Sequence, residues 1–228
     1  MKCSVCGGSE FTSNKVLWKE LIDEWQLSEA ETRYIDRQQG ENCNHCGANI
    51  RSIALANAIL DAMGTTLLLD EVSRSELTRS RHILEINEAG ALSPWLKKFE
   101  HYTFGAYPEV DMHNLSYTDQ TFDLVVHSDT LEHVINPVHA LKECRRVLKT
   151  GGALCFTVPM IVGRMSRNRE GLPKSFHGNS NTSSDDFAVQ TEFGADAWTY
   201  ILEAGFKELK IHTFEYPSGI AFTAIRTS

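Results

Sequence analysis

The chain has 228 residues, 42% of them hydrophobic and 23% charged, with a formal net charge of −8. Such a composition suits one medium globular domain with a small appendage, and the acidic balance argues against a broad phosphate-binding face. No apolar run approaches the ~20 residues a bilayer span needs, and MKCSVCGGSE lacks the hydrophobic segment of a secretory signal, so a cytoplasmic location is expected.

Four of the six cysteines form two pairs, "CSVCGG" (Cys3, Cys6) and "CNHCGA" (Cys43, Cys46). A C-x-x-C turn aims two thiolates at one metal, and the glycine after it accommodates the backbone beyond the turn. Two such turns complete a tetrahedral four-thiolate set with no open position, which predicts a structural zinc over residues 1–50. A redox C-x-x-C would instead open a helix after a strand, and these pairs do not. With four cysteines available, His45 is a neighbour of the site rather than a ligand. Between the pairs, "LSEAETRYIDRQ" predicts a helix capped at Ser28, with Glu31 at the capping-box position.

"IRSIALANAILDAM" places Ile53, Leu55, Ala56, Ile59, Leu60 and Met63 at helical spacing, a connector over residues 51–80 that packs the cysteine unit closely on the rest. Residues 81–228 then alternate strands (82–87, 102–106, 122–127, 153–158, 207–215, 219–226) with helical segments (93–99, 136–148, 194–204). Asn136-Pro137 opens the second helix, and Gly151 with Gly152 is expected to close it. This alternation predicts a mostly parallel α/β sheet with both faces covered, and Cys144 and Cys155 as inert core thiols. The cationic "GRMSRNRE" (Arg164, Arg167, Arg169) is either a solvated loop or an anionic-substrate contact.

Ligands of such a sheet sit beyond the carboxyl ends of its strands. Four stretches converge there: "LEINEAGALS", "EVDMHNLSYTDQTFDLVV", "HSDTLEHV" and "VPMIVGRMSRN". Over residues 80–228, and most specifically in "FDLVVHSDTLEHVINPVHALKECRRVLKTGGALCFTVP", the chain resembles class I S-adenosylmethionine-dependent methyltransferases. "FHGN" with "FGADAWTYILEAGF" resembles a subgroup associated with glycan and cell-surface biosynthesis. The resemblance implies a Rossmann-like seven-stranded sheet with helices on both faces, and S-adenosylmethionine as cofactor.

The same resemblance implies the site. Glu85 would order the loop around the methionine amino group, and Asn87, Glu88, Ala89 and Gly90 would form the cofactor turn. The family has glycine where this chain has Asn87, Ala89 and Ala91; the replacements are small, and Asn tolerates a positive φ. Ala106 stands where a ribose-binding acid is usual, leaving Tyr107 or Glu109 as substitutes. Asp111 would accept from the adenine amino group, with Met112 against the ring, and His127 and Ser128 would face the methionine end. Read without the resemblance, Glu85 is a helix-capping acid and Asp111 an Asx-turn former.

Methyl transfer requires alignment, and a base only for a hydroxyl or protonated amine acceptor. The base candidates are His177, His133, Asp129 and His127. "FHGNSNTSSDD" has the composition of a lid over the acceptor side. The expected partner is a small-molecule acceptor, a sugar or other polar metabolite. The alternatives are a protein or RNA methyltransferase that recognises its substrate through the zinc unit, and a non-catalytic binding protein.

Overall fold

The computed structural model describes residues 1–177 and 185–228, so the central part of the expected lid lies outside the described residues. In the N-terminal part, β1 (Phe11–Ser13), α1 (Lys19–Glu24), α2 (Glu29–Gly40) and β2 (Glu41–Cys43) follow in order, with β1 and β2 antiparallel. Helices α3 (Ile50–Ala62) and α4 (Leu69–Val72) lead to β3 (His82–Ile86), α5 (Ser93–Leu96), β4 (His101–Gly105), β5 (Phe122–Ser128), α6 (Pro137–Val147) and β6 (Leu148–Thr157). The short strands β7 (Met160–Ile161), β8 (Arg167–Asn168) and β9 (Thr191–Gly194) form a separate small sheet. Helix α7 (Ala197–Glu203), β10 (Glu208–Phe214) and β11 (Gly219–Ile225) complete the chain.

The main sheet runs β10-β11-β6-β5-β3-β4. Its four central and edge strands β6, β5, β3 and β4 are parallel, while β11 and β10 pair antiparallel. Among the described residues the main sheet has six strands, one fewer than expected. Residues 106–121 explain the difference. They carry the chain from edge strand β4 across to β5 by turns alone, and a parallel crossover by itself consumes a dozen residues or more. A helix and a further strand do not fit there.

Side-chain alternation decides which residues face which helices. Ile83, Leu124, Val126, Ala153 and Cys155 pack with Ile53, Leu55 and Ile59 of α3. Leu84, Ile86, Val125, Leu154 and Phe156 pack with Leu141, Cys144 and Val147 of α6 and Ile201 of α7. Cys144 and Cys155 thus lie in opposite cores, and burial pushes each thiol up to about 12. Burial on both faces is why these strands read as near-continuous apolar runs.

Helix α6 starts as expected, with the Asn136 side chain accepting from the His139 N–H at 3.0 Å and Pro137 in the first turn. It ends differently. Strand β6 begins at Leu148, directly after the helix, so Gly151 and Gly152 lie inside the strand. Gly151 has φ +81°, and a Cβ on Gly152 would come within 2.9 Å of the Lys149 carbonyl oxygen. Those two conformational demands, rather than helix termination, account for the pair.

The N-terminal part does not have a core of its own: Cys3, Val5, Cys43 and Ala48 belong to the α3 core. Its α1–α2 segment folds over the loop that follows β6. Trp25 Nε1 donates to Ser175 Oγ (2.7 Å), and Val162 N donates to Tyr34 Oη (3.1 Å). Glu31, the capping-box acid of α2, also receives both Arg164 Nε and Nη2, at 2.8 and 2.9 Å. No described helix is long and apolar enough to cross a membrane.

Candidate active site

The carboxyl ends of β4, β3 and β5 stand side by side, with Ile86 opposite Gly105 on one flank and His127 on the other. Beneath the loop that leaves β3, the fully buried Glu85 accepts from Ala89 N (2.7 Å), Ser93 Oγ and Tyr102 Oη (2.6 Å). Burial, then the Glu85 carboxylate, holds the Tyr102 hydroxyl well above its usual range, so this phenol stays a donor. Glu85 therefore shapes the turn from below through its amide.

Asn87 occupies the left-handed region at φ +54°, and Gly90 follows at φ +56°. Its carboxamide joins all three strand ends: Oδ1 accepts from Tyr107 N (3.1 Å) and Nδ2 donates to Thr130 Oγ1 (3.3 Å). Ala89 is buried, whereas Glu88, Gly90, Tyr107 and Glu109 are exposed around the same rim. Asp111 Oδ1 accepts from His113 N (2.8 Å) and approaches His113 Nδ1 (3.1 Å), an Asx-type turn. Met112 is buried in the core beside it. Ser128 Oγ bonds Thr157 Oγ1 at 2.8 Å. His127 is sealed from solvent and stacked on Phe156. Burial lowers its pKa to about 4 against the opposing pull of Glu132, so the ring is neutral.

After β5 the chain makes a second set of contacts. Asp129, at φ +50°, pairs with the buried Arg51 of α3. Glu132, 2% exposed in its side chain, faces two imidazoles, with Oε1 3.4 Å from His177 Nε2 and 3.6 Å from His133 Nε2. The two rings stack at 5.1 Å. Burial raises the Glu132 carboxyl, but the imidazoles of His177 and His133 outweigh it and hold it below its ordinary value.

His177 and Arg51 also form the polar wall of a pocket of about 580 Å³, measured out to its open mouth. The rest of the lining comes from the N-terminal spacer (Trp18, Leu21, Trp25 and Leu27 among others) and from Pro159–Ile161. A mostly apolar concavity with a few convergent polar groups is the usual form of a small-molecule site.

Each of the three arginines of "GRMSRNRE" is paired with a carboxylate. Arg164 is held by Glu31, Arg167 by Glu192 at 2.8 Å, and Arg169 by Glu192 and Glu24. The stretch is largely exposed, as the solvated-loop reading has it, and its ion pairs pin the small sheet and the spacer. Sequence reasoning also missed Arg51, Glu132 and the tryptophans of the pocket. An arginine within the otherwise apolar run of α3 was the one available signal.

At the other end of the N-terminal part, the four cysteine sulfurs lie within 4.8 Å of one another. The Cys3–Cys46 and Cys6–Cys43 separations are 3.7 and 3.6 Å. Sulfurs 2.3 Å from a tetrahedral zinc stand about 3.8 Å apart, so the set fits a closed metal site. Gly7 (φ +79°) and Gly47 (φ +75°) supply the left-handed residue after each pair.

Residues 46–156 match a family model described as a methyltransferase domain. No curated protein matches the chain. Among solved structures, it is similar to a Bacillus halodurans protein assigned as a methyltransferase (19% identity, 63% of this chain and 67% of that one, TM-score 0.39). A Thermotoga maritima S-adenosylmethionine-dependent methyltransferase aligns at 15% identity over 91% of this chain and 97% of that one, TM-score 0.45. A Haloferax volcanii complex of the Trm112 methyltransferase activator with its partner aligns at 12% identity over 92% and 97%, TM-score 0.46. The family match thus gives residues 46–156, which carry α3 and the strand ends described above, as a methyltransferase domain.

Proposed function

We propose that the enzyme methylates a hydroxyl of a small polar metabolite, a sugar or sugar derivative, held in the pocket beside His177. The observation that carries this reading is the pocket itself, walled by tryptophan and leucine with Arg51, His177, Gln38 and Gln39 among its lining. Aromatic faces suit the apolar face of a ring, and the polar groups suit its hydroxyls. Glu85 and the turn of Asn87, Glu88, Ala89 and Gly90 hold the methionine end of S-adenosylmethionine. Tyr107 takes the ribose edge, Asp111 and Met112 the adenine, and His127 and Ser128 back the methionine end. Cys3, Cys6, Cys43 and Cys46 hold a structural zinc in residues 1–50; residues 51–80 connect that unit to the catalytic part, 81–228.

S-adenosylmethionine, held by the turn after β3, would supply the methyl group to the acceptor oxygen, its sulfur keeping the electron pair of the methyl–sulfur bond while the acceptor gives up its proton. His177, with His133 behind it, relieves the acceptor of that proton, and the pocket walls align the oxygen and exclude water. The test is transfer of labelled methyl to sugar nucleotides, free sugars, peptides and RNA. Labelling of a sugar compound, lost on filling the pocket by Leu21→Trp, supports the proposal. Labelling confined to peptide or RNA overturns it.

A further inference from the structure

The geometry points to a second metal site, distinct from the four cysteines: a divalent transition-metal ion held by Glu132, His133 and His177 at the wall of the acceptor pocket. This inference rests on the acceptor pocket being where proposed.

Three observations carry it. Glu132 is essentially fully buried, yet neither of its oxygens has a hydrogen-bond partner, and neither does His177 Nε2. A buried carboxylate that lacks a hydrogen bond is costly, and a cation between it and the two imidazoles lowers that cost. Second, Oε1 lies 3.4 Å from His177 Nε2 and 3.6 Å from His133 Nε2. Charge-assisted hydrogen bonds are about 2.7–2.9 Å long, so these gaps are too wide for direct pairing. Ligands about 2.0–2.2 Å from one tetrahedral ion are about 3.3–3.6 Å apart, which the gaps match. Third, His133 Nδ1 lies 3.3 Å from the Ala188 carbonyl oxygen. A proton on Nδ1 directed at that carbonyl leaves the Nε2 lone pair for the ion, the outer contact that fixes metal-binding imidazoles.

Two imidazoles and one carboxylate are three protein ligands, the number in catalytic sites that keep a position for water or substrate. His177 is both ligand and pocket wall, so the open position faces the pocket. With the ion bound, His177 Nε2 serves as a ligand in place of accepting the proton: the ion would acidify an acceptor hydroxyl bound there, whose proton passes to solvent. Arg51 does not compete, because it is paired with Asp129.

The test titrates Co²⁺ alone into the full chain with its cysteine site already filled by zinc. One further equivalent per chain, with ligand-field bands and no thiolate charge-transfer band, is expected. His177→Ala and Glu132→Gln should each weaken that equivalent at least tenfold while leaving the zinc content at one per chain. His177 sits at the pocket wall, so it decides the question even if the Glu132 variant fails to fold. No further equivalent, or undiminished binding by a folded His177→Ala, overturns the site. Cobalt binding uses no S-adenosylmethionine. A wild type that binds cobalt but methylates no pocket ligand refutes the function and keeps the site; one that methylates without binding cobalt refutes the site alone.

Discussion

Asn87 is the residue at which the sheet and the loop after β3 depend on each other most closely. It is left-handed at φ +54°, and its carboxamide makes the bonds to Tyr107 N and Thr130 Oγ1. Replacing it with alanine removes two hydrogen bonds of about 0.5–1.5 kcal/mol each and puts a Cβ-bearing residue where the left-handed region costs roughly 1–2 kcal/mol. Asn tolerates that region better, so the sum is about 2–4 kcal/mol. Glycine removes the same two bonds but is free of the steric term, at an entropic cost of about 0.5–1 kcal/mol. Asn87→Gly should therefore be more stable than Asn87→Ala by roughly 1 kcal/mol, although both fall below the wild type. Urea unfolding of the three proteins at one pH measures this order. An alanine variant as stable as the glycine variant would refute the left-handed backbone, and a wild-type-like glycine variant would refute the bridging carboxamide.

Cys46→Ser, or a strong chelator, should release the metal and unfold residues 1–50 together with the α1–α2 wall of the pocket. Metal analysis with circular dichroism follows both, and a metal-free chain of unchanged stability would contradict the zinc reading. Arg51→Met leaves Asp129 without its partner; because Asp129 keeps 32% of its side-chain exposure, the expected loss is roughly 2–3 kcal/mol in urea unfolding. For Glu31, the hydrogen bonds from Arg164 hold the carboxyl at about 2 against an ordinary 4.5. That contribution is complete above pH 4.5 and disappears as pH falls through 2, so the stability gap between wild type and Glu31→Gln should close across this window. A gap independent of pH would mean that the pairing with Arg164 does not stabilise the chain.

What the sequence made legible was local. The capping box of α2, the Asn136 cap, the two cysteine turns and the six strands of the main sheet each lie within a few consecutive residues, where periodicity and turn chemistry act. The features it missed come from contacts between distant positions. Trp25 meets Ser175, and Arg164 meets Glu31, only after the spacer has folded over the loop beyond β6. That fold-over creates the pocket wall, and it also engages Arg164 through Glu31 and Arg169 through Glu24. The seventh strand was expected by analogy with the family; residues 106–121 lack the length for it. Glu132 was passed over because LEH drew attention to its histidine, and only burial reveals the carboxylate between two rings.

The account rests on S-adenosylmethionine binding at the joined ends of β3, β4 and β5. Titration calorimetry with S-adenosylhomocysteine measures it most directly, on wild type and on Asp111→Ala. One site per chain is predicted for the wild type, weakened about tenfold or more in the variant by loss of the adenine contact. Absence of binding up to millimolar ligand would contradict the account, and equal affinity in the two proteins would move the adenine pocket away from Asp111.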